Sequence, residues 1–153
     1  MKFKSFVIAV LALSLTMVSC SDKDDTPTQP GESIPQELVD TWLYQSASIN
    51  DVPVGLALVL QWQPETESAI FTVGSDESFI YEELHSDGTN IWTEIGTIEI
   101  NGDNATITVT EDTDGPVAPP DILDGSWSLD GDILSLSTTL ESLIVVMTAV
   151  RLN

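Results

Sequence analysis

From Thr41 onward, hydrophobic residues alternate with polar ones in short runs, and Gly, Asp or Asn separates many of the runs. An alternation of period two is typical of strands with one buried and one solvated face. The pattern therefore predicts an antiparallel, all-β domain whose strands follow one another in chain order. The predicted strands are Thr41–Ile49, Leu56–Trp62, Ala69–Val73, Ser78–Leu84, Asn90–Ile100, Ala105–Thr110, Gly125–Leu129, Ile133–Thr138 and Leu143–Leu152.

The pattern does not assign a single structure to two segments. The apolar run within Val54–Gln63 is too brief to define its own period, so it fits either a strand or a short helix. The span Glu111–Asp124 contains three prolines and is predicted to be a long connection between strands. A connection of that length is either a functional lid or a rigid loop.

Turn residues and an internal repeat indicate hairpins. Asn101-Gly102 and Asp130-Gly131 separate alternating runs, and both dipeptides favour tight type I′ turns. The segment Gly96–Asp103 recurs 29 residues later as Gly125–Asp132, with matching polar and apolar positions. Two successive hairpins of similar design are therefore predicted to share one buried face, formed by Ile98, Ile100, Ala105, Ile107, Val109, Trp127, Leu129, Leu134 and Leu136.

Many short strands leave unpaired edges, and closure into a barrel removes those edges. About eight strands form a barrel whose interior is either filled by side chains or holds one small ligand. We therefore expect a small up-and-down barrel of about eight strands. The chain also resembles lipocalin-like domains of Bacteroidetes lipoproteins over Glu37 to Asn153, because Leu38-Val39-Asp40-Thr41-Trp42 is similar to their opening Leu-x-Gly-x-Trp. Asp40 replaces the usual Gly of that motif.

The lipocalin resemblance implies a specific closure of the barrel. In that family an Arg from the last strand covers the Trp of the first strand, which here implies a contact between Trp42 and Arg151. Arg151 is also the only Lys or Arg after residue 23. A guanidinium stacked on an indole contributes about 0.5–2 kcal/mol. The alternative is an Arg at the surface, paired with one of the many carboxylates.

The first nineteen residues have the layout of a secretory signal peptide. Lys2 and Lys4 precede an uncharged apolar stretch, Phe6 to Val18, which is too short to span a bilayer. The run Met17-Val18-Ser19-Cys20 resembles a bacterial lipobox, with Met in place of the usual Leu. The resemblance implies cleavage before Cys20 and acylation of its thiol, and more than one acyl chain gives stable membrane anchoring.

The residues after Cys20 predict a tether. Residues 20–36 lack a periodic apolar pattern and contain three prolines, so we interpret them as a flexible linker to a folded domain at residues 37–153. The run Cys20-Ser21-Asp22-Lys23-Asp24-Asp25 also resembles the acidic export signal of Bacteroidetes surface lipoproteins. That resemblance implies a lipid-anchored location at the outer membrane, exposed at the cell surface. The alternative is that these acids only keep the tether solvated.

Composition removes several classes of function. Without residues 1–19 the chain keeps two basic residues against 25 acidic ones, a formal charge of −23. Such a charge argues against nucleic acid as a partner. One Cys and one His argue against Cys-based zinc sites and multi-His metal centres. The acidic residues within Glu111–Gly115 do not match the EF-hand pattern of a calcium-binding loop, and most acidic loops are simply solvated.

The chain has no recognisable catalytic motif, so we expect neither an enzyme nor a cofactor. There is no Gly-x-Ser-x-Gly elbow, and His85 lies in a predicted turn. The leading prediction is non-catalytic binding of a small apolar or amphipathic ligand in the barrel mouth. The alternatives are an acidic structural or interaction module at the cell surface, with or without calcium, and a hydrolase with an unrecognised site.

Aromatic side chains are the candidates for lining a ligand pocket, although the same side chains can simply fill a small barrel. Phe79 and Tyr81 share one face of their strand and Ile80 and Leu84 the other, and the pattern does not say which face is buried. The six candidates are Trp62, Phe71, Phe79, Tyr81, Trp92 and Trp127.

Overall fold

The computed structural model describes residues 33–140 and 142–152. These residues form nine strands and one short helix, and they confirm the predicted all-β barrel. The predicted signal peptide (1–19), Cys20 and the tether up to residue 32 lie outside the described residues. The elements are β1 (Asp40–Ile49), β2 (Val52–Val54), α1 (Leu56–Val59), β3 (Ser68–Val73), β4 (Ser78–Leu84), β5 (Asn90–Asn101), β6 (Asn104–Asp112), β7 (Gly115–Asp130), β8 (Ile133–Leu140) and β9 (Leu143–Arg151).

Eight of the strands close into an antiparallel barrel. From β3 to β9 each strand pairs with the next, β1 pairs with β3, and β9 pairs with β1 to complete the ring. The ninth strand, β2, extends the sheet from the second half of β1. The hairpin glycines Gly102 and Gly131 have φ angles of 58° and 62°, as the tight turns predicted at these positions require.

The two ends of the barrel differ. At one end, which we call the closed end, β1 begins, β9 ends and the β5–β6 and β7–β8 turns lie. The turn at residues 36–38 also lies here, and Ile34 and Leu38 are buried. The opposite end, which we call the mouth, carries the β4–β5 and β6–β7 turns. Within residues 33–140 and 142–152, Ile34 is the first buried residue, and it belongs to the segment that the sequence assigns to the tether.

The inward faces form one core. Phe79 and Tyr81 are buried and Ile80 and Leu84 are not, which settles the orientation of β4. The register brings the predicted shared face together, because Ile98 pairs with Ile107 and Leu129 with Leu134. The face is only partly buried, since four of its predicted members are half-buried: Val109, Trp127, Leu129 and Leu136. The buried apolar residues of the strands are Trp42, Tyr44, Ala47, Ala69, Phe71, Val73, Phe79, Tyr81, Trp92, Ile98, Ile100, Ala105, Ile107, Leu134, Val145, Met147 and Ala149.

Two of the predicted elements need correction. The span Glu111–Asp124 is not a loop, because β6 continues to Asp112 and β7 starts at Gly115 after a two-residue turn. Pro119 and Pro120 lie where a register shift interrupts the β6–β7 ladder, between the pairs Val109–Asp121 and Glu111–Pro116, so their missing N–H groups are tolerated. The segment predicted as strand or helix at Leu56–Trp62 begins as helix α1.

Pairing between neighbouring strands is interrupted near the mouth in two places. The pairing of β1 with β3 ends at Leu43 and Ile70. The segment 55–67, which contains α1 and which we call the cover, connects β3 to β2, the short strand that pairs with the second half of β1. The pairing of β7 with β8 stops at Ser126 and Ser137, and beyond it the Thr138 hydroxyl donates to the Asp124 carbonyl at 2.7 Å.

Candidate functional site

Polar and aromatic side chains occupy the mouth half of the barrel interior. We call Tyr44, Tyr81, Glu83, Trp92 and Glu94 the upper lumen. The cross-strand register brings four of them together, because Tyr81 pairs with Glu94 and Glu83 pairs with Trp92. Directly paired residues of antiparallel strands project from the same face of the sheet, which here is the interior.

Tyr44 connects β1 to this cluster. Its ring centroid lies 5.0 Å from that of Phe71 and 6.3 Å from that of Tyr81. The residue is only 8% exposed, and its hydroxyl makes no hydrogen bond within the described part of the chain. Burial, and to a lesser extent the charge of Glu94, raise the pKa of Tyr44, so its hydroxyl stays protonated at physiological pH.

Glu83 is fully buried and links the cover to the barrel. Its Oε2 accepts hydrogen bonds from the Gln63 backbone N–H at 2.8 Å and from the Thr66 hydroxyl at 2.5 Å. Its Oε1 accepts a hydrogen bond from the Tyr81 hydroxyl at 3.2 Å. A buried carboxylate is tolerated only when its oxygens are satisfied in this way. The Glu67 N–H also donates to the Leu84 carbonyl at 2.9 Å, which holds the end of the cover.

The carboxyl group of Glu94 has a strongly raised pKa. Burial raises the pKa of Glu94 to about 7, and the charges of Asp112, Asp121 and Glu83 add to this effect. A hydrogen bond from the Trp92 indole N–H, 3.3 Å from Oε1, acts in the opposite direction. Asp112 pairs with Glu94 across the β5–β6 ladder, so their side chains share the inner face.

Trp62 lies in the cover, just after α1, and is half-buried. Its indole Nε1 is inaccessible to solvent and has no hydrogen-bond partner among the described residues. A buried donor without an acceptor is uncommon in folded proteins.

The closed end carries the contact that the lipocalin resemblance implies. Arg151 Cζ lies 5.0 Å from the centroid of the Trp42 ring, and Trp42 is fully buried. The same guanidinium donates to the Glu37 carbonyl at 2.8 Å and lies 3.3 Å from a carboxylate oxygen of Asp40. The Trp42 indole N–H donates to the Leu38 carbonyl at 3.1 Å. These contacts secure the turn at residues 36–38 across the closed end.

No family model matches the chain, and no curated protein matches it.

The six aromatic candidates for ligand lining occupy three different regions. Phe71, Phe79, Tyr81 and Trp92 face the interior from β3, β4 and β5. Trp62 lies in the cover instead. Trp127 lies near the closed end, where its indole N–H donates to the Gly102 carbonyl at 3.0 Å. Only Tyr81 and Trp92 are therefore members of the upper lumen.

The acidic members of the site were not among the sequence candidates. Glu83 is two residues from Tyr81 on the same strand face, so the alternation could have identified it once the face of Tyr81 was known. Glu94 can be assigned to the site only from its cross-strand pairing with Tyr81. With 25 acidic residues in the chain, no single one stands out by residue type.

Residues with other candidate chemistry do not converge on a reaction centre. His85 lies in the β4–β5 turn, with its Nε2 atom 3.8 Å from a carboxylate oxygen of Glu65. No group of three or more His, Cys, Asp or Glu residues in the described part of the chain is arranged to hold a metal ion. Among the described residues, no helix has the length and apolar character that a membrane crossing requires.

Two open depressions lie along β7 and β8, away from the upper lumen. One has a volume of about 850 Å³ and is lined by residues that include Glu37, Asp103 and Trp127. The other has a volume of about 430 Å³, where β7 and β8 separate at Gly125 and Thr138. Both are lined largely by Ser, Thr and acidic side chains, so their chemistry differs from that of the upper lumen.

Proposed function

We propose that this protein is a lipid-anchored lipoprotein of the bacterial outer membrane, exposed at the cell surface, whose lipocalin-like barrel binds a small apolar or amphipathic ligand without catalysing a reaction. The lipobox-like run Met17–Cys20 and the acidic residues behind it support the anchor. The chain enters the barrel at its closed end, and the upper lumen lies toward the opposite end of the strands. An N-terminal anchor is therefore compatible with an accessible mouth.

The observation that carries the binding proposal is the contrast between the two halves of the barrel interior. At the closed end, Trp42 is fully buried, its indole N–H donates to the Leu38 carbonyl, and Arg151 lies over its ring. In the upper lumen, aromatic rings lie beside carboxylates and beside the Tyr44 hydroxyl, which has no partner among the described residues. Ligand sites typically combine an apolar, aromatic lining with a few convergent polar groups.

Membrane fractionation tests the anchor. Cys20→Ser removes the thiol that would carry the lipid, so we expect the protein to move from the membrane fraction to the soluble fraction. Ser21→Ala, next to it, preserves the thiol and should leave the protein at the membrane. A Cys20→Ser protein that still sediments with membranes would refute the anchor.

Native mass spectrometry of the protein from its own host tests ligand binding. The full chain carrying Cys20→Ser removes the need for detergent, which would compete for an apolar site. We expect a population heavier than the polypeptide by the mass of a small organic molecule, and we expect denaturation to release that molecule. A single mass equal to that of the polypeptide, together with no binding of added amphiphiles, would contradict the proposal.

A second candidate is an acidic interaction module that uses the outer surface of the barrel. The two depressions along β7 and β8 favour it, because they are open and lined by polar side chains. Under this hypothesis Glu37→Gln and Asp103→Asn would weaken a partner complex, whereas substitutions in the upper lumen would not. The ligand hypothesis predicts the reverse for small-molecule binding.

A further inference from the structure

We propose that the upper lumen recognises a positively charged organic ammonium group, so that the ligand is a cationic amphiphile. This inference rests on the proposed binding function and specifies the chemical class of ligand for the same site. It follows from three features of the interior: its charge, a hydroxyl without a partner among the described residues, and the arrangement of its aromatic rings.

The charge of the interior at the mouth is uncompensated by protein cations. Glu83 and Glu94 face the interior directly, and Asp112 and Asp121 raise the pKa of Glu94 through their charges. Arg151 is the only Lys or Arg among the described residues, and it covers Trp42 at the closed end. A cation is attracted to such a group of carboxylates more strongly in a partly buried site than in water.

The Tyr44 hydroxyl is an independent indication of a ligand. It belongs to a residue that is more than nine-tenths buried, and it has no hydrogen-bond partner among the described residues. The Tyr44 ring lies 6.3 Å from the Tyr81 ring, and Tyr81 is the cross-strand partner of Glu94. An ammonium N–H donated to the Tyr44 oxygen would give this hydroxyl a partner that the described residues do not supply, while the same cation lies beside the Glu94 carboxylate.

Aromatic rings complete a setting that suits organic cations. Tyr44 and Tyr81 are arranged edge to face, with an interplanar angle of 66°, and Trp92 pairs across the sheet with Glu83 next to Tyr81. Cations bind to the faces of such rings, and quaternary ammonium groups are recognised by aromatic cages. A bare metal ion fits less well, because the described residues offer no cluster of three ligating groups.

The protonation state of Glu94 provides a second way to test ammonium binding. Because burial raises the pKa of Glu94 to about 7, the group is partly protonated at neutral pH, and a bound cation would favour its ionised form. Ammonium binding should therefore strengthen as the pH rises from about 6 to about 8 and should release a proton. The titratable groups that face or electrostatically influence Glu94 are Tyr44 on β1, Tyr81 and Glu83 on β4, Asp112 on β6 and Asp121 on β7.

Isothermal titration calorimetry with matched probes tests the inference. The probes are octylamine, which is protonated at about pH 8, neutral octan-1-ol and anionic octanoate, added to the full chain carrying Cys20→Ser. We expect octylammonium to bind at least about tenfold more tightly than octan-1-ol and octanoate. Tyr44→Phe and Glu94→Gln should each reduce this preference, whereas Glu99→Gln, on the exposed outer face of the same strand, should preserve it.

The other possible results of the titrations lead to different conclusions. Equal binding of octylammonium and octan-1-ol would overturn the ammonium inference and leave the proposed binding function intact. An equal loss of preference in Glu99→Gln would show that the cation binds to the diffuse surface charge, and it would also overturn the inference. If none of the three probes binds, both the inference and the proposed binding function fail.

Discussion

Replacing Glu94 with Gln removes a charge from the barrel interior while almost preserving the shape of the side chain. Burial raises the pKa of the Glu94 carboxyl from 4.5 to about 7, so the folded protein binds its proton more tightly than the unfolded chain does. For an acid whose pKa is raised by folding, the free energy of unfolding falls as the pH rises through the interval between the two values. Stability should therefore decline between about pH 4.5 and about pH 7 and level off above it.

The magnitude follows from the linkage between protonation and folding. Each unit of difference in pKa corresponds to 1.36 kcal/mol, so the interval sets an upper limit of about 3 kcal/mol for the loss. Glu94 retains some exposure, and solvent screening reduces the effect to about 1–3 kcal/mol. Because about 1 kcal/mol shifts the melting temperature of a domain of this size by about 4 °C, Glu94→Gln should melt about 4–12 °C higher than the unmodified protein above pH 7.

Thermal melting followed by circular dichroism from about pH 5 to about pH 8.5 measures this effect. The two proteins should differ least at the acidic end, where Glu94 is protonated in the folded state, and most at the basic end. Glu99→Gln removes the same charge from the outer face of β5, so it controls for the change in net charge. Parallel melting curves for Glu94→Gln and the unmodified protein across the whole range would refute the assignment of a buried, raised-pKa carboxyl.

Three further substitutions probe other parts of the fold. Arg151→Ala removes the cation over the closed end and should cost about 1–3 kcal/mol in thermal melting, so an unchanged melting temperature would refute a stabilising closure. Gly96→Ala should destabilise the barrel by about 3 kcal/mol or more in urea unfolding, because the added Cβ would clash with the Thr108 carbonyl. Gly55→Ala is the control, because the space around Gly55 is open. Glu83→Ala should release the cover, seen as faster amide hydrogen exchange at Gln63 and at residues 65–67, and unchanged exchange there would contradict its role as the link.

The alternation of the chain was sufficient to predict most strands, because a half-buried strand needs apolar residues only at every second position. The predicted and observed bounds of β4, Ser78–Leu84, are identical. Closure of the barrel was also predictable, since the only way to satisfy both edges of so many short strands without covering them is to pair the first with the last. The structure confirms this through the pairing of β1 with β9.

The β7 strand was missed because its prolines were interpreted as loop residues. Proline lacks an N–H and is excluded from the centre of a fully paired sheet. The prolines of β7 lie outside the part of the strand that pairs with β8, which begins at Ser126, so each one faces at most one neighbouring strand. No local property of the sequence reveals where a strand loses one of its neighbours, and the separation of β7 from β8 is therefore visible only in three dimensions.

The candidate site was predictable to a lesser extent, because residue type identifies aromatics more readily than acids. Tyr81 and Trp92 are rare residue types in this chain and were selected on that basis. Glu83 and Glu94 differ from the other acids only in their inward direction and burial, which depend on the register between β4 and β5. Tyr44 was not among the sequence candidates, and a β-bulge between Tyr44 and Ser46 interrupts the alternation of β1 just after it.

The position of Arg151 explains why charge balance in the interior depends on other species. In the described part of the chain this single guanidinium is engaged by Trp42, Asp40 and the Glu37 carbonyl at the closed end. The carboxylates of the mouth half must therefore be balanced by protons, by solvent ions or by a bound cation. Protons are one such source, since the raised pKa of Glu94 keeps it partly protonated at neutral pH. A ligand that brings its own positive charge would displace that proton, and stability and binding would then respond to pH in opposite directions through the same carboxyl group.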